Sequence, residues 1–351
     1  MKYKLKKINN SKVIFTDGLI GGGKTLIAGL VSSFKNIDPW IYDSNYEKIC
    51  SYNYIGDMSL TTSSNFILKT FNEKYYDNLI LRHANFRKFD VSSILNHPRK
   101  KILERLNISD NEAKKILNKT QIINHYMLHM CAASAEPIFK SFNKDLLYIL
   151  VLRNPLNIYS IHHISNWTKK WSQSNGRHSM ITLRYKNINI PYLVNKKRYE
   201  AYFKANSYER AILIIDEFFR KYQKIHQYKN NYKSKLIIIK FDEFIKKPHY
   251  KLKEISKFLK APIDQIVKKQ IKKNSLPRRG VDDLPKNLNI NSNLMLSDYY
   301  RGFFPNFFIN NYIKKNKSIN NHDVLNFLKK KIRSEYIEMI TKIKKSYEKI
   351  K

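Results

Sequence analysis

The sequence predicts an α/β domain: a doubly wound, mainly parallel sheet flanked by helices, with helical and irregular insertions. Two observations carry this. Leu146-Leu147-Tyr148-Ile149-Leu150-Val151-Leu152 is an unbroken apolar run, the signature of a parallel strand buried on both faces, and Lys235 to Phe241 is another of the same kind. Between Val13 and Val31 a short β-branched and aromatic run passes through Gly18, Gly21, Gly22 and Gly23 into apolar residues at helical spacing (Leu26, Ile27, Leu30, Val31, Phe34).

That first stretch also says most about chemistry. Gly18, Gly23, Lys24 and Thr25 fit G-x-x-x-x-G-K-[ST], a strand-loop-helix motif whose backbone N–H groups wrap a phosphate while the lysine neutralises it. Four of the nine glycines of the chain fall within these six residues, where a loop needs positive φ or close approach to a ligand. The sequence therefore implies a P-loop domain with an anion site at a helix N-terminus.

At 351 residues and 42% hydrophobic residues the chain can bury one large core, and it is expected to be a single domain over 1–351. Residues 36–90 and 172–205 are expected as insertions or acceptor-side segments, and 323–350 as a Lys-rich terminal helix. The net charge of +38 suits nucleic acid, an anionic surface or acidic substrates. The lysines are nevertheless scattered beside abundant Asn, Ile and Tyr, with no clustered stripe or nucleic-acid motif. That pattern argues for a compositional bias, so no nucleic-acid partner is expected. Cys50 and Cys131 have no partner spacing that suggests a disulfide framework or a zinc site. With no apolar run near 18 residues and no signal-peptide pattern, a cytoplasmic protein without a transmembrane segment is expected. No metal site is expected.

Along the chain, Asn78 to His83 reads as a strand ending on a titratable residue, and Ser109 with Glu112 as a capping box opening a helix through Leu117. After Lys119-Thr120 an apolar helical stretch is expected to about Phe142. Pro155 opens a helix over Leu156 to about Trp171. Glu209 to Glu217 imitates the magnesium-holding strand of P-loop ATPases, yet Tyr208, Ile212, Ile215, Phe219, Tyr222 and Ile225 recur at spacings of three and four. One long amphipathic helix is expected there. A further helix spans Tyr250 to Leu259, and a Phe/Tyr-rich segment spans Tyr299 to Tyr312.

Three separated stretches together resemble the PAPS-dependent sulfotransferase family. The Gly-rich loop looks like that family's 5′-phosphosulfate loop. Tyr148 to Pro155 with Ser160 is similar to its strand ending in Arg-Asp/Asn-Pro with a helix serine. Leu236 to Pro248, continuing through Ile255 to Leu259, looks like its strand, turn and cofactor-side helix. Three positions depart from the pattern: the family usually has Lys or Arg at Gly21, Ser or Thr at Lys24, and its serine where Ile161 stands.

The resemblance implies PAPS (3′-phosphoadenosine-5′-phosphosulfate) as cofactor, held by Gly21, Gly22, Gly23, Lys24, Thr25, Arg153, Ser160 and, through a late basic-Gly element, Arg278, Arg279 and Gly280. It implies transfer of a sulfuryl group to a hydroxyl or amine acceptor, a small molecule or a carbohydrate. Catalytic candidates are Lys24 at the bridging oxygen, His83 as base and Lys119, which looks like the Lys-Thr element of carbohydrate sulfotransferases. Asp17 is a rival base; His125, His129, His162 and His163 read as packed or helix-surface histidines. The alternatives are a P-loop NTPase or kinase using Lys24, Thr25 and Asp216 with magnesium, and a nucleic-acid-binding protein without catalysis.

Overall fold

The structure is a computed structural model that describes residues 12–88, 90–119, 122–172, 180–278, 304–313, 315 and 319–350, the side chains of 114 and 117–119 and of 312–313 excepted. Five strands form a parallel sheet: β1 (Val13–Gly18), β2 (Ile41–Tyr42), β3 (Asn124–Met127), β4 (Leu146–Leu152) and β7 (Lys235–Lys240), in the order β2-β3-β1-β4-β7. β5 (Thr182–Tyr185) and β6 (Ile188–Pro191) pair separately as an antiparallel hairpin. The doubly wound parallel sheet expected from sequence is therefore present, and all three expected strands lie in it, with Val13 opposite Leu146 and Leu147 opposite Lys235.

Side-chain alternation explains why β4 is apolar throughout. Leu146, Tyr148, Leu150 and Leu152 enter one core with Ile158, Ile161 and Ile164 of the helix Ile158–Ser172, with Ile212 and Ile215, and with Tyr336 and Ile340. Leu147, Ile149 and Val151 enter the opposite core with Ile27, Leu30 and Val31 of the helix Lys24–Ser32 and with Leu252 and Ile255. Successive residues of a strand face opposite ways, so a strand between two helical layers has no polar side. The helices that follow β1 and β4 thus lie on opposite faces of the sheet. Between the carboxyl ends of two such adjacent strands a crevice opens, and α/β sheets bind their ligands there.

Other expectations change. Asn78 to His83 is not a strand: it is the end of the helix Leu60–Leu79 and the turn after it. Ile67, Phe71, Tyr75, Asn78 and Leu79 are buried at spacings of one helical face, and that period outweighs the short β-branched run. The stretch expected as helix up to Phe142 holds β3 and only a short helix, Glu136–Phe142. β3 lies between β1 and β2 with all four residues buried, and Asn124 and His125 inside it mask its apolar pattern. Asn78 Nδ2 donates to Asn124 Oδ1 at 2.8 Å, while His125 meets Thr16 Oγ1 at 2.8 Å and Ser32 Oγ at 2.9 Å.

The segment 206–229 is helical, as expected, but breaks at Tyr222-Gln223 into Ser207–Lys221 and Lys224–Asn231. Residues 323–350 likewise divide, into Asn321–Lys329 and Ser334–Glu348. The 36–90 segment is a structured part of the domain, carrying β2 and the helices Ser44–Ile55 and Leu60–Leu79. Among the described residues no helix is long and apolar enough to cross a membrane.

Candidate active site

The crevice between β1 and β4 is built by the glycine loop. Gly23, the N-cap of the first helix, has φ +88°, and a Cβ there would sit 2.2 Å from the Phe241 ring. Gly21 has φ +73°, and its Cβ would meet Tyr159 at 3.0 Å. Only glycine lets the loop pass between these rings in a left-handed conformation.

Two cationic poles flank the loop. Lys24 is 4% exposed and folds back so that Nζ donates to the carbonyls of Gly18 at 3.1 Å and Leu19 at 2.7 Å. Burial lowers its pKa to about 8, against the opposing pull of Asp17 and Glu47. At neutral pH it is still largely an ammonium ion. Arg153, closing β4, is 3% exposed; burial lowers its pKa to about 10, with Asp242 the strongest opposing charge. Its guanidinium lies between the Tyr159 and Phe241 rings, 5.4 and 5.0 Å from their centroids, and donates to the Gly21 carbonyl. Ser160 Oγ donates to the same oxygen at 3.0 Å.

Arg278 joins this second pole. Its backbone N–H donates to Ile245 O at 2.7 Å and its Nη2 to Asn274 O at 3.2 Å, while its positive charge adds to the burial that lowers the Arg153 pKa. Arg279 and Gly280 lie outside the described residues. The terminal helix also reaches here, which its Lys-rich sequence gave no signal for. Tyr347 OH donates to Asp242 Oδ2 at 2.8 Å, and the Asn154 N–H donates to the same oxygen at 2.9 Å.

The other titratable candidates separate clearly. Asp17 is fully buried, with its pKa raised by that burial, and receives Tyr148 OH at 2.9 Å and the Cys131 N–H at 3.2 Å. It is a locked structural carboxylate. His83 stands on the turn after Leu79, beside the edge strand β2, with Nε2 3.2 Å from Asp77 Oδ2. It does not end a strand next to the loop, because Asn78–His83 is not a strand. Lys119 ends the helix Asp110–Lys119; its side chain and Thr120 lie outside the described residues. Asp216 sits in a helix, held by Arg198 at 2.6 Å and Arg220 at 2.7 Å, with Glu217 beside it paired to Arg198 and Lys221. Such an ion-paired helical carboxylate is not a magnesium-holding strand residue, so Asp216 lacks the strand position that the NTPase alternative required of it.

Sequence reasoning passed over Glu47 and His129. His129 follows β3, and both its backbone N–H and its Nδ1 meet Glu47 Oε1, at 2.6 and 3.1 Å; Tyr42 OH donates to Glu47 Oε2 at 3.0 Å. Glu47 is 5% exposed, and its charge acts on Lys24. His163, its pKa lowered to about 4 chiefly by burial, also feels the charges of Lys24 and His129. Glu47 and His129 are thus in direct contact, and the charges of Lys24, Glu47, His129 and His163 act on one another from four elements. The available signal was the pair of buried-type residues flanking β3, which a correct strand assignment would have exposed. Among the described residues no group of three or more His, Cys, Asp or Glu could hold a metal ion.

Comparison with solved structures finds weak similarity to sulfotransferase domains. The chain is similar to the sulfotransferase domain of the Synechococcus PCC 7002 olefin synthase, at 11% identity over 86% of this chain and 100% of that one, with a TM-score of 0.38. A sulfotransferase domain from the curacin biosynthetic pathway matches at 11% identity over 84% and 99%, with a TM-score of 0.35. Sulfotransferase STF9 from Mycobacterium avium matches at 11% over 84% and 77%, with a TM-score of 0.36. No family model and no curated protein matches the chain. At these scores the likeness decides nothing about the chemistry of this chain.

Proposed function

We propose that the protein is a sulfotransferase that moves a sulfuryl group from PAPS to a hydroxyl or amine acceptor. The observation that carries this is the second cationic group: Arg153 and Ser160 both donate to the Gly21 carbonyl, whereas Lys24 folds onto the Gly18 and Leu19 carbonyls at the start of the loop. A nucleotide triphosphate needs one phosphate cradle. PAPS carries anions at both its 5′ and 3′ ends, and two poles separated by a glycine loop suit that charge distribution.

The residues present fit the cofactor. The Gly23, Lys24 and Thr25 amides lie at a helix N-terminus, where backbone donors and the helix dipole favour an anion. Bound PAPS supplies an activated sulfuryl group whose transfer, like phosphoryl transfer, leaves the protein mainly positioning and charge stabilisation to provide. Lys24 would neutralise charge developing on the leaving oxygen. Arg153, with Ser160 and Arg278, would hold the 3′-phosphate by charge-assisted hydrogen bonds. His129 is the favoured base: Nδ1–H on Glu47 leaves Nε2 as the acceptor nitrogen, and the carboxylate stabilises the imidazolium formed on taking the acceptor's proton.

Calorimetric titration with adenosine 3′,5′-bisphosphate and with ATP-Mg²⁺ tests the reading. Tight binding of the bisphosphate with weak binding of ATP-Mg²⁺ supports it, and the reverse order overturns it.

A further inference from the structure

Lysines that are scattered in the sequence are collected by the fold on one face. Residues 246–278 hold ten lysines and Arg278 against two acids, Glu254 and Asp264. Two helices span most of this segment, Pro248–Leu259 and Gln265–Lys273. Leu252, Ile255 and Leu259 of the first and Val267 and Ile271 of the second enter one core, on the side of the sheet that carries the helix Lys24–Ser32. The residues opposite those apolar stripes therefore share the outer surface of one helical layer. On the first helix they are Tyr250, Lys253 and Lys257, and on the second Lys269, Lys272 and Lys273, all exposed.

The two acids do not neutralise this face. Asp264 caps the second helix through the N–H groups of Ile266 and Val267, at 3.0 and 3.1 Å, and holds Arg99 at 2.5 Å. Glu254 pairs with Lys235 and Lys251. Among the described residues none of the outward lysines has an ion-pair partner, so their charges add. Like charge repels a second copy presenting the same face, and the partner it fits is anionic.

The side chains present choose among anionic partners. Lysine is a strongly hydrated point charge, whereas nucleic-acid surfaces draw on the arginine fork and on rows of stacking aromatics. Arg278, which follows the second helix, turns Nη2 onto Asn274 O at 3.2 Å, and the outward residues include a single aromatic. That aromatic is Tyr250, 75% exposed, more than any other large apolar side chain among the described residues. A tyrosine standing out among lysines suits the headgroup level of a bilayer, with its ring at the apolar boundary and its hydroxyl in water.

We propose that the outer face of these two helices docks on an anionic lipid surface, the lysines over headgroup phosphates and Tyr250 between the headgroups. Clusters of roughly four to eight basic residues on an amphipathic helix bind anionic lipid in this way. The contact is peripheral and does not depend on the sulfotransferase reading.

The test is co-sedimentation of the full chain, without nucleotide, with large unilamellar vesicles of phosphatidylcholine alone or with phosphatidylglycerol added. Anionic vesicles are expected to bind the chain at least about tenfold better than neutral ones at low salt, and raising the salt is expected to release it. Lys253→Gln, Lys257→Gln and Lys269→Gln together should weaken that binding by on the order of tenfold or more, and Tyr250→Ser, at unchanged charge, by about threefold. A control set, Lys329→Gln, Lys330→Gln and Lys331→Gln, removes the same charge from exposed positions at the end of the helix Asn321–Lys329, whose Val324 and Leu328 enter the other core. It should leave binding within about twofold of wild type. Thermal unfolding of each variant shows that it is folded. Equal binding to the two kinds of vesicle, or equal losses for the two triple variants, overturns the proposal, the latter by reducing it to net charge. Tighter binding of a single-stranded oligonucleotide through the same three lysines overturns it as well, by making nucleic acid the occupant.

Discussion

Arg153 and Ser160, seven residues apart on β4 and the following helix, donate to one acceptor, the carbonyl oxygen of Gly21. Through that oxygen the end of one strand is tied to the loop of its neighbour, so the shape of the anion site and its charge depend on the same side chain. Arg153→Ala should weaken adenosine 3′,5′-bisphosphate binding by on the order of 1.5–3 kcal/mol, the worth of a charge-assisted contact. Adenosine 5′-phosphosulfate, which lacks the 3′-phosphate, should lose little, because Ser160 still holds the loop. Equal losses for the two ligands in calorimetry would return Arg153 to a purely structural role.

Lys24 makes a prediction about stability as well as rate. Burial lowers its pKa from 10.5 to about 8, so folding costs most while both folded and unfolded chains hold the proton. Between pH 8 and 10.5 the unfolded chain binds more protons, and the Lys24 contribution to stability rises with pH. Lys24→Met should therefore be more stable than wild type at pH 7.5, by up to about 3 kcal/mol, and the gap should narrow to about 1 kcal/mol by pH 10. Comparing the two proteins cancels the opposite slope from buried Cys131 and the buried tyrosines, whose pKa values are raised. Denaturant unfolding at three pH values decides it; a gap constant with pH would mean that Lys24 is not desolvated as described. The same variant should lose turnover more than cofactor affinity.

The phosphate loop and the three long strands were legible because their signals are local: glycines at fixed offsets, and apolar runs that only a two-sided burial requires. The surroundings of Glu47 and His129 were not, because their evidence is tertiary. β3 carries Asn124 and His125, polar residues that look wrong in a core until Asn78, Thr16 and Ser32 are seen to satisfy them. Missing β3 hid the fact that His129 lies two residues beyond the end of a central strand, and it left His83, in the turn after a helix, as the favoured base. Tyr347 belongs to the same class: nearly two hundred residues separate it from Arg153, and only packing brings it to Asp242.

The two histidines give a clean contrast. His129→Ala should lower kcat by roughly 10² to 10⁴-fold, the usual worth of a positioned base. His83→Ala should leave kcat within a few-fold of wild type, since its ring is half exposed beside Asp77 and away from the loop. Glu47→Gln keeps a hydrogen-bond acceptor but removes the charge that stabilises the imidazolium, and an intermediate loss is expected. Urea unfolding of the same variant separates the roles: a structural role for Glu47 would lower stability along with rate, whereas a role at the imidazolium lowers rate alone. A His83 variant as inactive as the His129 variant would reverse the assignment.

Two glycines of the first helix, the N-cap Gly23 and the interior Gly29, test the loop geometry without any ligand. Gly23 has φ +88°, and a methyl group there would lie 2.2 Å from Phe241, whose ring is itself packed beneath Arg153. Gly23→Ala carries both backbone strain and a clash that a rigid buried ring cannot relieve, so a loss of about 2–4 kcal/mol is expected. Gly29 lies inside the helix Lys24–Ser32 with nothing within 4 Å of the position a Cβ would take. Gly29→Ala should therefore gain about 0.5–1 kcal/mol, from higher helix propensity and a less flexible unfolded chain. Urea titration of both variants reads the signs directly. If Gly23→Ala were neutral, the left-handed turn that aims the helix N-terminus into the crevice would be wrong, and with it the placement of the anion site.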